Sequence, residues 1–267
     1  MVPWCTTIIP FGRRAMQYHL ETIPVWEVME QKCECPLCAL EKKTELEEID
    51  RTLGPSVMEP DVRIRFNKHG VCRTHQQMLY AQQNRLGHAL LMDSHVKEQL
   101  DALQKLRKKV RADAGVKTGL FGRASAPDAA VDGLRELNAH CVVCEAIAAH
   151  MARYRYTFLH LWKTDEHFRA AWKESRGVCL PHLLALLETG RDVLPAAQQR
   201  AFAGEGLDFL IDQLTNDEKD LDQFTRKFDY LHKDEPWGES KTAVERSANR
   251  LRGRCIGEEP CLKKQRP

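Results

Sequence analysis

Cys35-Pro-Leu-Cys38, followed by Gly70-Val-Cys72-Arg-Thr-His75, is the stretch from which the rest of this 267-residue chain can be read. The pattern returns as Cys141-Val-Val-Cys144 and Gly177-Val-Cys179-Leu-Pro-His182. From Cys35 to Cys141 is a step of 106 residues and from Cys72 to Cys179 a step of 107. One insertion therefore aligns three cysteines, one histidine and the Gly-Val ahead of the third cysteine. Agreement at that many rare residue types points to a duplicated unit: Cys-x2-Cys, helix, loop, Gly-x-Cys-x2-His, helix.

The chemistry follows from helix geometry. Residues three apart on a first turn share one face. Two such helix starts brought together aim three sulfurs and one imidazole at a common centre, a closed tetrahedral Cys3His site of the kind that holds structural zinc. The helix dipole favours the thiolate, the form that binds metal. Two zinc ions per chain are expected. Similar internal spacing makes pairing within a unit the more economical arrangement: Cys35, Cys38, Cys72 and His75 in the first, Cys141, Cys144, Cys179 and His182 in the second. Pairing across units, Cys35 and Cys38 with Cys179 and His182, is the alternative. Either way the ion closes a long intervening segment and couples metal binding to folding. An iron–sulfur cluster is the competing cofactor, although four cysteines are its usual ligand set. A thiol-exchange reading finds no βαβ context. Cys33 aligns with Ala139 and is left outside the ligand set, while Cys5, Cys255 and Cys261 read as spare thiols of the tails.

Composition narrows the role. Forty Lys and Arg against 38 Asp and Glu leave a net charge of +2, so no global field selects nucleic acid or an anionic membrane. The 43% hydrophobic and 29% charged content is that of a globular protein. No window approaches the roughly 18 apolar residues of a membrane span. The first residues place their charge after the apolar run, unlike a secretory signal. A cytoplasmic location is expected, where thiols stay reduced.

The hydrophobic periodicity predicts an all-α fold of two pseudo-repeat units and a C-terminal helical hairpin. Stripes at helical spacing run through Leu46, Ile49 and Leu53; through Val96, Leu100, Leu103, Leu106 and Val110; and through Ile147, Met151, Tyr154, Phe158 and Leu161. Another runs through Leu221, Phe224, Phe228 and Leu231, with Asn216 or Asp217 as its cap, and a last helix from Ser240 to Gly253. All are assigned to core. The helix opened by Cys72 and His75 is expected to continue through Leu79 and Leu86. The best strand signal is the alternation Val62-Arg63-Ile64-Arg65-Phe66, and Met58 to Arg63 reads as a loop. Three Gly and one Pro mark 115–130 as a linker between a first unit, 16–114, and a second, 131–252. Residues 1–15 look like an extension foreign to the fold, and 253–267 like a tail. The basic cluster from Lys105 to Arg111 reads as a solvated helix end, and His150, His160 and His167 as packing or surface residues. No phosphate loop, nucleophile elbow or His-Glu-x2-His is present.

The run Met16-Gln-Tyr-His-Leu-Glu-Thr-Ile-Pro-Val-Trp-Glu, the Cys-Pro-Leu-Cys, Ser56-Val-Met-Glu-Pro-Asp-Val-Arg63 and Gly-Val-Cys-Arg-Thr-His together resemble an uncharacterised bacterial family, a domain of unknown function of Firmicutes-type genomes. The likeness spans Met16 to about Leu251. It implies a small cytoplasmic bacterial protein and carries over no catalytic residue. The expectation is a non-catalytic interaction or regulatory protein whose partner is another protein or a small molecule. The alternatives are an iron–sulfur or thiol redox enzyme or sensor, and a ligand-binding protein using the groove between the units.

Overall fold

In a computed structural model, residues 19–31, 33–54, 57, 59–113 and 126–257 are described. They form α-helices and short 3-10 turns, with no strand among them. In chain order the helices are α1 (His19–Glu30), α2 (Pro36–Leu53), α3 (Pro60–His69), α4 (Arg73–Ala81), α5 (Arg85–Asp113) and α6 (Ala126–Leu137). Then follow α7 (Val142–Thr164), α8 (Glu166–Glu174), α9 (Leu180–Val193), α10 (Ala196–Arg226), a 3-10 turn at Gly238–Thr242 and α11 (Ala243–Arg252). The expected extension at 1–15, most of the 115–130 linker and the end of the tail lie outside the described residues. Helix α6 begins at Ala126, inside the stretch read as linker.

Helices α2 and α7 form the central pair. They run antiparallel: Glu48 lies 3.8 Å from His150, Leu37 and Leu40 at the start of α2 share a core with Phe158 and Leu159 late in α7, and Ile49 and Leu53 at its end share one with Val142 and Val143 at the start of α7. At 18 and 23 residues they are about 27 and 35 Å long. Their N-termini therefore lie at opposite ends of the pair, and each end has its own core. The larger core gathers Leu37 and Leu40 of α2, Phe158, Leu159 and Trp162 of α7, and residues of α1, α8, α9 and α10. Its centre is aromatic. Phe158 meets Phe168 edge-on at 5.0 Å and Trp172 at 5.5 Å, and the indoles of Trp162 and Trp172 both donate to Glu205 Oε2. Full burial of such side chains contributes about 1.5–3 kcal/mol each. The smaller core joins Ile49 and Leu53 at the end of α2 to Val142 and Val143 at the start of α7, with Phe66, Leu79 and Leu91.

Several local expectations are corrected. Val62–Phe66 is helical within α3, because Pro60 supplies a first-turn residue that needs no N–H partner and Gly70 ends the helix at φ +61°. Only Phe66 of α3 is buried, while Ile64 is 65% exposed, so the alternation had no second apolar face to satisfy. The same helix absorbs Asp61 to Arg63 of the presumed loop. The helix after His75 stops at Ala81, where Gln83 takes φ +63°, and Leu86 opens α5 exposed. On α5 the stripe through Val96, Leu100 and Leu103 faces solvent instead of core. Finally, α10 runs straight through Asn216 and Asp217. Asp217 is no cap: it is buried and paired with Arg250 at 2.6 Å and Arg246 at 3.2 Å, holding α11 to α10. Phe228 and Leu231 follow the end of α10 and are exposed.

Candidate metal centres

All four donor pairs sit at helix starts. Cys35, Cys72, Cys141 and Cys179 are the N-cap residues of α2, α4, α7 and α9, and the second donor of each pair follows three residues on. The two Cys-x2-Cys caps share one backbone shape, φ −146° and ψ 108° at Cys35 against −150° and 116° at Cys141. The two Cys-x2-His caps share another, −69° and 169° at Cys72 against −66° and 160° at Cys179. The glycine of each Gly-Val-Cys is required by geometry. Gly70 and Gly177 adopt φ +61° and +72°, and a Cβ there would lie 2.7 Å from the His95 ring and 2.9 Å from Phe209.

The structure corrects the expected pairing. Centre A unites Cys35 and Cys38 with Cys179 and His182; centre B unites Cys72 and His75 with Cys141 and Cys144. Each takes two donors from either half of the chain. The reason lies in the helix lengths. Each long helix carries the chain away from its own Cys-x2-Cys, so the Cys-x2-His that follows emerges nearer the far end. Antiparallel packing of α2 on α7 puts the other half's Cys-x2-Cys there. All eight predicted donors are brought together, but in exchanged sets.

The distances suit a tetrahedral ion. Zinc with Zn–S near ~2.3 Å and Zn–N near ~2.0 Å places neighbouring sulfurs about 3.8 Å apart, and sulfur and nitrogen about 3.5 Å apart. In centre A, Cys179 Sγ lies 3.7 Å from Cys35 Sγ and 3.6 Å from Cys38 Sγ. His182 Nδ1 is 3.5, 3.4 and 3.2 Å from the sulfurs of Cys35, Cys38 and Cys179. In centre B, Cys72 and Cys144 are 3.9 Å apart, and His75 Nδ1 is 3.2, 3.2 and 3.4 Å from Cys72, Cys141 and Cys144. A disulfide would need about 2.05 Å.

The sulfurs crowd one another electrically. In centre B, Cys141 is held at about 3, chiefly because Cys144 hydrogen-bonds to its thiolate. Cys144 is raised in turn, first by that same hydrogen bond. In centre A, burial pushes the Cys35 thiol up, but hydrogen bonds from Cys179 and Cys38 and the His182 charge hold it well below the ordinary value. Cys38 is raised, first through its hydrogen bond with Cys179. Three sulfurs this close cannot all ionise unless a cation sits among them.

Both histidines present Nδ1 to the sulfurs and turn Nε2 to a carboxylate. His75 Nε2 lies 3.3 Å from Glu45 Oε1, and His182 Nε2 lies 3.6 Å from Glu41 Oε2. Burial opposes protonation of His75, but Cys141 and Glu45 raise it to about 10. A carboxylate behind the ring fixes a metal-binding imidazole and makes it more basic. Sequence reasoning missed both glutamates. The available signal was their position: Glu41 and Glu45 follow Cys38 by three and seven residues, on the face of α2 that it occupies.

A family sequence model matches residues 16–258. The chain belongs to a family of unknown function, DUF6062. No curated protein and no solved structure matches it. The resemblance drawn from the Cys-Pro-Leu-Cys and Gly-Val-Cys-Arg-Thr-His stretches, to an uncharacterised domain family, thus holds over most of the chain. Cys33 is buried beside Cys35 but is not one of the four donors of centre A, and Cys255 is exposed and free. Cys5 and Cys261 lie outside the described residues. No described helix is long and apolar enough to cross a membrane.

Proposed function

We propose that this chain is a non-catalytic, cytoplasmic zinc protein in which two structural Cys3His ions staple the duplicated halves of the fold, 16–114 and 131–252, to each other. The carrying observation is the exchanged donor sets: each ion bridges two helix starts more than 60 residues apart in sequence, so losing it removes a cross-link between the halves. Three thiolates and one imidazole fill four positions, leaving no open site for a substrate. Zinc suits this mixed soft set, and each imidazole already has the carboxylate that zinc-binding histidines use. Such a rigid double-stapled frame suits an interaction or regulatory module.

Elemental analysis of purified full-length protein, taken with its absorption spectrum, tests the reading. Two zinc per chain and no visible colour are expected. Iron with visible absorption would replace it with the iron–sulfur alternative.

One observation favours a ligand-binding role beside the structural one. A cavity of about 360 Å³ is lined by Cys38 and Cys179 together with Arg176 and with Glu245, Arg246 and Arg250 of α11. Its walls come from both halves, as a groove between the units requires. Saturable binding of a small polar molecule, reduced by Arg246→Ala, would support that role.

A further inference from the structure

The residues flanking the two centres correspond as the donors do, and they differ in chemistry. In centre A, Glu34 precedes the Cys-x2-Cys and Arg176 precedes the Gly-Val-Cys; the two form an ion pair. The same positions in centre B are His140 and His69. Their rings meet edge to face, with centroids 4.6 Å apart and planes at 82°. Glu145, immediately after Cys144, reaches both: its Oε1 lies 3.0 Å from His140 Nδ1 and 3.4 Å from His69 Nδ1. The matching residue in the first half is Ala39, buried and without a donor. One donor atom from each of His69, His140 and Glu145 lies within 4.8 Å of the other two.

We propose that His69, His140 and Glu145 form a third metal site, which takes a divalent first-row transition ion and leaves coordination positions open to solvent. Two imidazoles and one carboxylate are a borderline donor set suited to zinc, cobalt, nickel or ferrous iron, and poorly suited to calcium or magnesium. His69 Nδ1 is buried and makes no hydrogen bond, although Glu145 Oε1 is near; the two atoms are placed as co-ligands are, not as donor and acceptor. The backbone is already tied together at this point, with Val142 N–H donating to Gly70 O at 3.0 Å and the Arg65 guanidinium to Val142 O at 2.7 Å. Bound donors about 3–3.5 Å apart require only a small inward rotation of partly exposed side chains. The side chain of His140 is 40% exposed, so water or an external ligand can complete the shell. Centres A and B are closed; this site is open and exchangeable.

The test is cobalt(II) binding to the zinc-loaded full-length protein, with zinc measured in the same sample. One cobalt per chain beyond the resident zinc is expected, without a sulfur-to-cobalt charge-transfer band. Glu145→Gln and His140→Ala should each weaken it at least tenfold while the resident zinc is kept. His69→Ala should do the same; should it fail to fold, the other two variants decide. Absence of extra cobalt, binding unchanged in both variants, or cobalt that shows a thiolate band because it has entered a quartet would each overturn the proposal. A chain lacking zinc in centres A and B would overturn the stapling reading instead, and the cobalt count would still decide this one.

Discussion

Centres A and B carry the same donors on the same local backbone, yet they sit in opposite surroundings. All four donors of A are buried, and its three cysteines belong to the larger core with its aromatic cluster. In B, Cys144 is exposed and Cys72 half-buried, and the core beside it is small. The carboxylates differ too. Burial raises Glu41 behind A, whereas the His75 hydrogen bond lowers Glu45 behind B. A is flanked by ions that continue from Glu34 through Arg250 to Asp217, and B by two histidines and a glutamate. The ligand set fixes which ion binds; the shell around it decides whether the ion anchors the core or can be reached from outside.

That contrast can be broken or sharpened by mutation. The largest effect belongs to Cys179→Ala, which should remove one zinc and the metal–folding coupling of the larger core, worth several kcal/mol, or roughly 10 °C or more in Tm. Cys144→Ala should remove one zinc with a clearly smaller loss. Equal losses in thermal melts would erase the distinction between the centres. Next comes Asp217→Asn, which leaves Arg250 buried with one acid fewer and should cost about 3–5 kcal/mol by denaturant unfolding. It should leave the zinc count unchanged; a lost ion would mean that the network holds centre A itself. Glu45→Gln should weaken zinc in B about 10–100-fold in competition with a chelator and leave A unaffected. Unchanged affinity would reduce the carboxylate to a surface ion pair. Smallest of all, Cys255→Ser should alter neither zinc content nor Tm.

The helical class and the eight donors were legible because both rest on short-range spacing. Cys-x2-Cys and Cys-x2-His at helix starts are local statements, and the structure keeps all four as N-caps. What spacing could not carry was which pairs meet, since that depends on the antiparallel packing of α2 on α7, a tertiary fact. Other readings failed on packing or on overlooked local signals. The α5 stripe of Val96, Leu100 and Leu103 has ideal periodicity, yet these three side chains are exposed. Asp217 has the composition of a cap and the position of a buried counter-ion. Val62 to Phe66 alternates like a strand, but Pro60 and Gly70 bracket it as a helix. Glu41 and Glu45 were readable in principle, once Cys38 was taken as marking the inner face of α2.

The exchange of donors between halves is tested most directly by counting zinc in two double variants. Cys38→Ser with Cys179→Ser strikes centre A twice and should leave one zinc per chain. Cys38→Ser with Cys72→Ser strikes both centres and should leave none. The reverse outcome, none in the first and one in the second, would mean that each half closes its own site and that the staple between the halves does not exist.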